Sequence, residues 1–206
     1  MTFQCIKPIK STRETRMFKT ALKKTCKSIC ALLLALTAQY SFAENGKLQA
    51  QAFNNLYKNV CLKNIHELGK LKTQLKNATQ MPAPEARKLL KGAAGNAWMV
   101  PEDSGAFVLT LHEKKPICTI IAHHADAKSV EEAFLKLVTN PIASLQAKKL
   151  SATHNKTKAN GNAHTMTYEW QAHKGKYKIV FSLSTTAFEQ AEIQALGSIF
   201  LVNDGE

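Results

Sequence analysis

The chain has 206 residues and carries 28 Lys and Arg against 15 Asp and Glu, a formal net charge of +13. That basicity is uneven: residues 1–43 hold eight basic residues and one Glu, so residues 44–206 keep 20 basic and 14 acidic residues, a net of +6. A modest, scattered positive balance argues against nucleic acid as a partner, and about 160 residues make one domain with room for a core.

From Met17 the chain reads MFKTALKKTCKSICALLLALTAQYSFA. Lys19, Lys23, Lys24 and Lys27 precede an apolar run from Ile29 to about Ala38, which Ser41-Phe42-Ala43 follows. A positive region, ~7–15 apolar residues and small side chains at −3 and −1 form the pattern of a cleaved secretory signal, so residues 1–43 are expected to be removed between Ala43 and Glu44. The run bracketed by Lys27 and Gln39 is shorter than the ~20 apolar residues of a spanning helix, and a mature protein that spans no membrane is expected. Cys26 and Cys30 precede the apolar run, unlike a lipoprotein cysteine. Met1–Arg16 makes the basic region long, and Met17 is an alternative start.

From Leu48 to about Lys76, Phe53, Leu56, Tyr57, Val60, Cys61, Leu68, Leu71 and Leu75 recur at helical spacing, which predicts one long amphipathic helix weakened at Gly69. Pro84 and Glu85 open a short helix that ends near Leu90, with Gly92 as its stop. The period then changes to two. Ala97–Val100, Ala106–His112 and Ile117–Ala122 read as strands joined by turns at Pro101–Gly105 and Glu113–Pro116. Ser129 with Glu131 and Glu132 reads as the solvated start of a helix that buries Val130, Phe134, Leu137 and Val138 and stops at Asn140-Pro141. Lys149–His154, Ala163–His173 and Lys176–Ser184 read as further strands, joined by Lys158–Asn162 and by a tight His173–Lys176 turn. Ile193–Val202 is expected to be a last strand, because Ile199-Phe-Leu-Val is β-rich. The fold class is α+β: a single domain over 44–206, with a mainly antiparallel sheet of about six strands and its helices on one face.

Removing the signal leaves Cys61 and Cys118, and an even pair in an oxidising compartment predicts one disulfide. His123, His124 and Asp126 form the densest group of metal-ligand types, yet adjacent strand residues point to opposite faces and no second ligand arm accompanies them. No metal site and no cofactor is expected. The chain lacks GxSxG, SxxK, P-loop and GxGxxG patterns, so serine-hydrolase and nucleotide chemistry have no motif. Tyr168 and Trp170 with Lys178 give aromatics beside a basic residue, a candidate binding face.

The layout resembles a set of small exported Gram-negative proteins of unknown activity, through Cys61-Leu62 in an early helix, Ala97-Trp-x-Val100, Gly105-Ala-Phe-Val-Leu109 and Cys118 on the partner strand. The resemblance implies a disulfide-linked α+β domain exported across the inner membrane, and it brings no catalytic residues. The functional expectation is a non-catalytic periplasmic or secreted protein that binds a protein or envelope component. The alternative is a small secreted hydrolase with a site around Cys118, His123, His124 and Asp126.

Overall fold

A computed structural model describes residues 44–142, 144–172 and 175–203; the expected signal segment through Ala43 lies outside the described residues. Helix α1 covers residues 44–64 and buries Ala50, Phe53, Leu56, Tyr57 and Cys61 along one stripe. It widens into a π-helical turn over Tyr57–Leu62. At Glu67 the backbone leaves the helical region (φ −134°, ψ 43°), and α2 (Leu68–Gln74) begins, followed by a 3-10 turn over Leu75–Asn77. The long helix expected from Leu48 to Lys76 is therefore two helices. Ile65 and Leu71 are buried on either side of the break, so the apolar period runs through it unchanged, and periodicity alone cannot see the bend.

Helix α3 (Ala83–Leu89) has Pro84 in its first turn and ends where Lys91 and Gly92 take positive φ, the left-handed termination that glycine favours. Strands β1 (Gly95–Glu102), β2 (Gly105–His112) and β3 (Ile117–Ala122) form a meander. Helix α4 (Ala127–Val138) then leads to β4 (Leu145–Thr157), β5 (Gly161–Ala172), β6 (Tyr177–Thr186) and β7 (Ala195–Asn203). The sheet order is β1-β2-β3-β7-β6-β5-β4, and every neighbouring pair is antiparallel. The sheet has seven strands where about six were expected. The C-terminal segment is a strand, as its β-rich composition implies, and it joins the two meanders at the centre.

Period-two alternation sorts the strands into two faces. Trp98, Phe107, Leu109, Cys118, Ile120, Ile199, Phe181, Leu183, Tyr168 and Trp170 share one cluster with the buried stripes of α1 and α4. The intervening residues Ala97, Val108 and Ile121 pack on the other side with Ala86 of α3. Helices thus cover both faces, not one. The reason is local: β2 and β3 are apolar on both faces and need cover on both, as buried strands do, whereas β5 and β6 alternate and need it on one.

Three contacts fix α1 to the sheet. The Cys61–Cys118 disulfide joins it to β3, with Cα atoms 5.4 Å apart and a sequence separation of 57. The Tyr57 hydroxyl donates to the Ser198 carbonyl at 2.9 Å, and burial raises the phenol well above its ordinary pKa. Gly197 lets the helix approach, since a Cβ there would lie 2.8 Å from the Tyr57 ring and 2.9 Å from the Phe53 ring. Phe134 of α4 packs against Tyr57 and Tyr168, with ring centroids 6.1 and 6.0 Å away. Among the described residues no helix is long and apolar enough to cross a membrane.

Candidate functional site

The residues singled out from the sequence are placed by this frame. Cys61 and Cys118 are fully buried and bonded to each other, so neither offers a thiolate as nucleophile. Asp126 is the N-cap of α4, its Oδ1 accepting from the Ser129 backbone N–H at 2.8 Å. The helix start expected at Ser129 is capped from three residues earlier. His123 Nδ1 donates to the Glu192 carbonyl, and the backbone N–H of His124 donates to Gln49 Oε1 at 3.1 Å while its ring faces solvent. The group therefore ties the β3–α4 turn to α1 and to the β7 approach. Among the described residues no three His, Cys, Asp or Glu side chains gather as a metal site would require.

The expected aromatic binding face is corrected by burial and register. Tyr168 is 8% exposed and Trp170 2%, and the Trp170 indole N–H donates to the Val138 carbonyl at the end of α4, 2.7 Å away. Trp170 pairs with Ile179 and Gln171 with Lys178, so Lys178 stands on the face opposite the two aromatics. They are core residues under α4, and the Trp170 indole is satisfied as that of a buried Trp usually is.

Glu131, read as part of a solvated helix start, is instead a bridge. Its Oε1 accepts from Thr185 Oγ1 and lies 3.1 Å from His164 Nδ1. His164 stacks on His154 across the β4–β5 hairpin, ring centroids 4.3 Å apart. Nothing in the local sequence signals this, because it depends on the β4–β5 register and on where α4 lies.

Two of the clefts in the described surface are large enough for a small ligand. One, about 330 Å³, lies between the first turns of α1 and the β1–β2 turn, with Leu48 and Ala52 beside the polar Asn45, Gln51, Asn55, Glu102, Asp103 and Ser104 in its walls. The other, about 320 Å³, opens at the α1–α2 break. Ile65, His66, Leu68 and Lys72 line one wall, Leu111 to Pro116 the other, and Asn96 and Leu201 complete it. An apolar floor with a few convergent polar groups is the usual form of a ligand site. The second cleft has that form, on a floor that includes the buried Ile65 and Leu111; the apolar part of the first is the half-exposed Leu48 with Ala52.

Charge in the second cleft is one-sided. Lys72, Lys114 and Lys115 face Glu113 as the sole carboxylate among the lining residues. His112 has its pKa lowered, first by burial and then by the Lys115 ammonium, as expected where the field is positive and water partly excluded. Sequence reading missed this site because it needs the helix break at 65–67. The two halves were each visible, the Glu113–Pro116 turn with its paired lysines and the polar tail of the first helix. No protein-family model matches the chain, and no curated protein matches it.

Proposed function

We propose that this is an exported, disulfide-stapled protein of the periplasm or the surrounding medium, and that it acts by binding a partner or envelope component and not by catalysis. The single observation that supports it best is the Cys61–Cys118 bond, which suits an oxidising compartment and agrees with the signal-like order of charge, apolar run and Ser41-Phe42-Ala43 in the first 43 residues. The hydrolase alternative draws no support from the geometry: Cys118 is bonded, Asp126 caps a helix, His123 is held by a backbone carbonyl and His124 faces solvent. A nucleophile and its base must lie within hydrogen-bond reach, and these four side chains have other partners or none.

The reading is tested by expressing the full chain in a Gram-negative host and fractionating the cells. A product in the periplasm or medium that begins at Glu44 and has no free thiol when unfolded is the expected result. A cytoplasmic product that keeps Met1 or Met17 and has both Cys61 and Cys118 as free thiols refutes it.

A further inference from the structure

We infer that the cleft between α2 and the β2–β3 turn binds a small amphiphilic anion, a carboxylate or phosphate head carried on a short apolar body. The inference rests on the binding-protein reading and names its ligand class. The floor is assembled from separate elements: Ile65 is 1% exposed and Leu111 3%, and Leu68, Pro116 and Leu201 join them. Water held over such a surface is released when an apolar body covers it. The rim supplies the charge, with Lys72 on one wall and Lys114 and Lys115 on the other. Three other lysines are held by carboxylates, Lys70 by Glu67, Lys128 by Glu132 and Lys148 by Glu169. Among the described residues none of the three cleft lysines has an ion-pair partner.

Cations on facing walls repel each other, and an anion between them turns that repulsion into attraction. His66, His112 and Asn96 add hydrogen-bonding groups to the lining. The depressed pKa of His112 leaves its imidazole neutral at neutral pH, able to donate to an anion through one ring nitrogen. A volume of about 320 Å³ is at the small end for ligand pockets, which suits a metabolite-sized molecule or one lipid headgroup with the start of its chain. Among the lining residues there is no aromatic platform on which successive bases of a nucleic acid would stack.

The test is an NMR titration of the purified, oxidised protein at low salt with octyl phosphate and octanoate, with inorganic phosphate and octyltrimethylammonium as controls. Octyl phosphate or octanoate should shift the amides of residues 65–72 and 111–116 saturably, and the head that binds more tightly assigns the source. Reversing two rim charges in K114E/K115E should weaken binding about tenfold, the effect expected when partly exposed pairs become repulsions. Lys156→Glu on the far edge strand should change it by less than about twofold, the scale of a distant, screened charge. Each variant must keep the wild-type spectrum away from its own site. Saturation by inorganic phosphate alone, equal binding of octyltrimethylammonium, or no saturable shift overturns the inference. A protein that begins at Glu44 after export yet binds none of these probes would refute this inference and leave the export reading standing.

Discussion

Removing the disulfide gives the sharpest test of how this fold is held. The bond closes a loop of 57 residues between α1 and β3, and cross-linking a loop of that length lowers the entropy of the unfolded chain by an amount worth about 4 kcal/mol at room temperature. A domain of this size is stable by roughly 5–15 kcal/mol, so the staple is about a quarter or more of the whole. Both sulfurs are fully buried, and in C61A/C118A the alanines leave apolar surroundings apolar, which keeps the loss close to the entropic figure. Urea unfolding of oxidised wild type and of C61A/C118A, followed by far-UV circular dichroism, should give a midpoint lower by about 2 M for a slope near 2 kcal/mol/M. A midpoint change under about 0.5 M, or two reactive thiols in the unfolded oxidised wild type, would refute the reasoning.

Gly197→Ala forces a methyl against the buried Tyr57 and Phe53 rings and should cost about 1–3 kcal/mol; an unchanged thermal midpoint would mean that α1 can move away freely. Asp126→Ala removes the α4 cap and should cost about 1 kcal/mol, while Asp126→Asn, an equally good cap, should recover most of it. Equal loss in both variants would point to a role for the charge. The folded state holds His112 below its ordinary pKa, so the unfolded chain takes up the proton first as pH falls. Its contribution to stability is therefore full above the ordinary histidine value and is lost as pH drops from there through the lowered one. His112→Gln should flatten the acid side of the stability profile below the ordinary histidine pKa, and a parallel profile in the variant would contradict the shift.

The strands were legible because their residues alternate or run apolar within turn-bounded segments: Ala106–His112 and Ile117–Ala122 correspond to β2 and β3 within a residue. The disulfide was legible from the cysteine count once the first 43 residues are set aside. What the sequence hid is spatial. Gly69, the residue that propensity marks as weak, lies inside α2, while the break falls upstream at Glu67, whose residue type gives no warning. Tyr168 and Trp170 sit beside Lys178 in composition but not in space, because the β5–β6 register pairs 171 with 178 and places the aromatics under α4. Glu131, read as part of a solvated helix start, acquired its partners His164 and Thr185 only when α4 was laid across the sheet, whereas Asp126, read as a metal-ligand type, caps α4 through the nearby Ser129 N–H.

The staple and the second cleft share the same two pieces of chain. Cys61 precedes Ile65 and His66 by about one helical turn, and Cys118 follows Lys114, Lys115 and Pro116 by two to four residues, so the bond that joins α1 to β3 anchors both walls of the cleft. A wall on a loop is ordinarily mobile, and ligand sites need their polar groups held close to a productive geometry. Here the β2–β3 turn is also pinned by the Leu201 N–H, which donates to the Pro116 carbonyl at 3.0 Å, and by the Glu113 N–H, which donates to the Ala94 carbonyl at 2.9 Å. The helix break sets the cleft's outline, and the disulfide with these two backbone bonds sets how far its walls can part. One covalent bond thus bears on both the stability of the domain and the geometry of the cleft: the loss of stability in C61A/C118A acts on the whole fold, while any loosening of amides 65–72 and 111–116 in the folded variant would be confined to those walls.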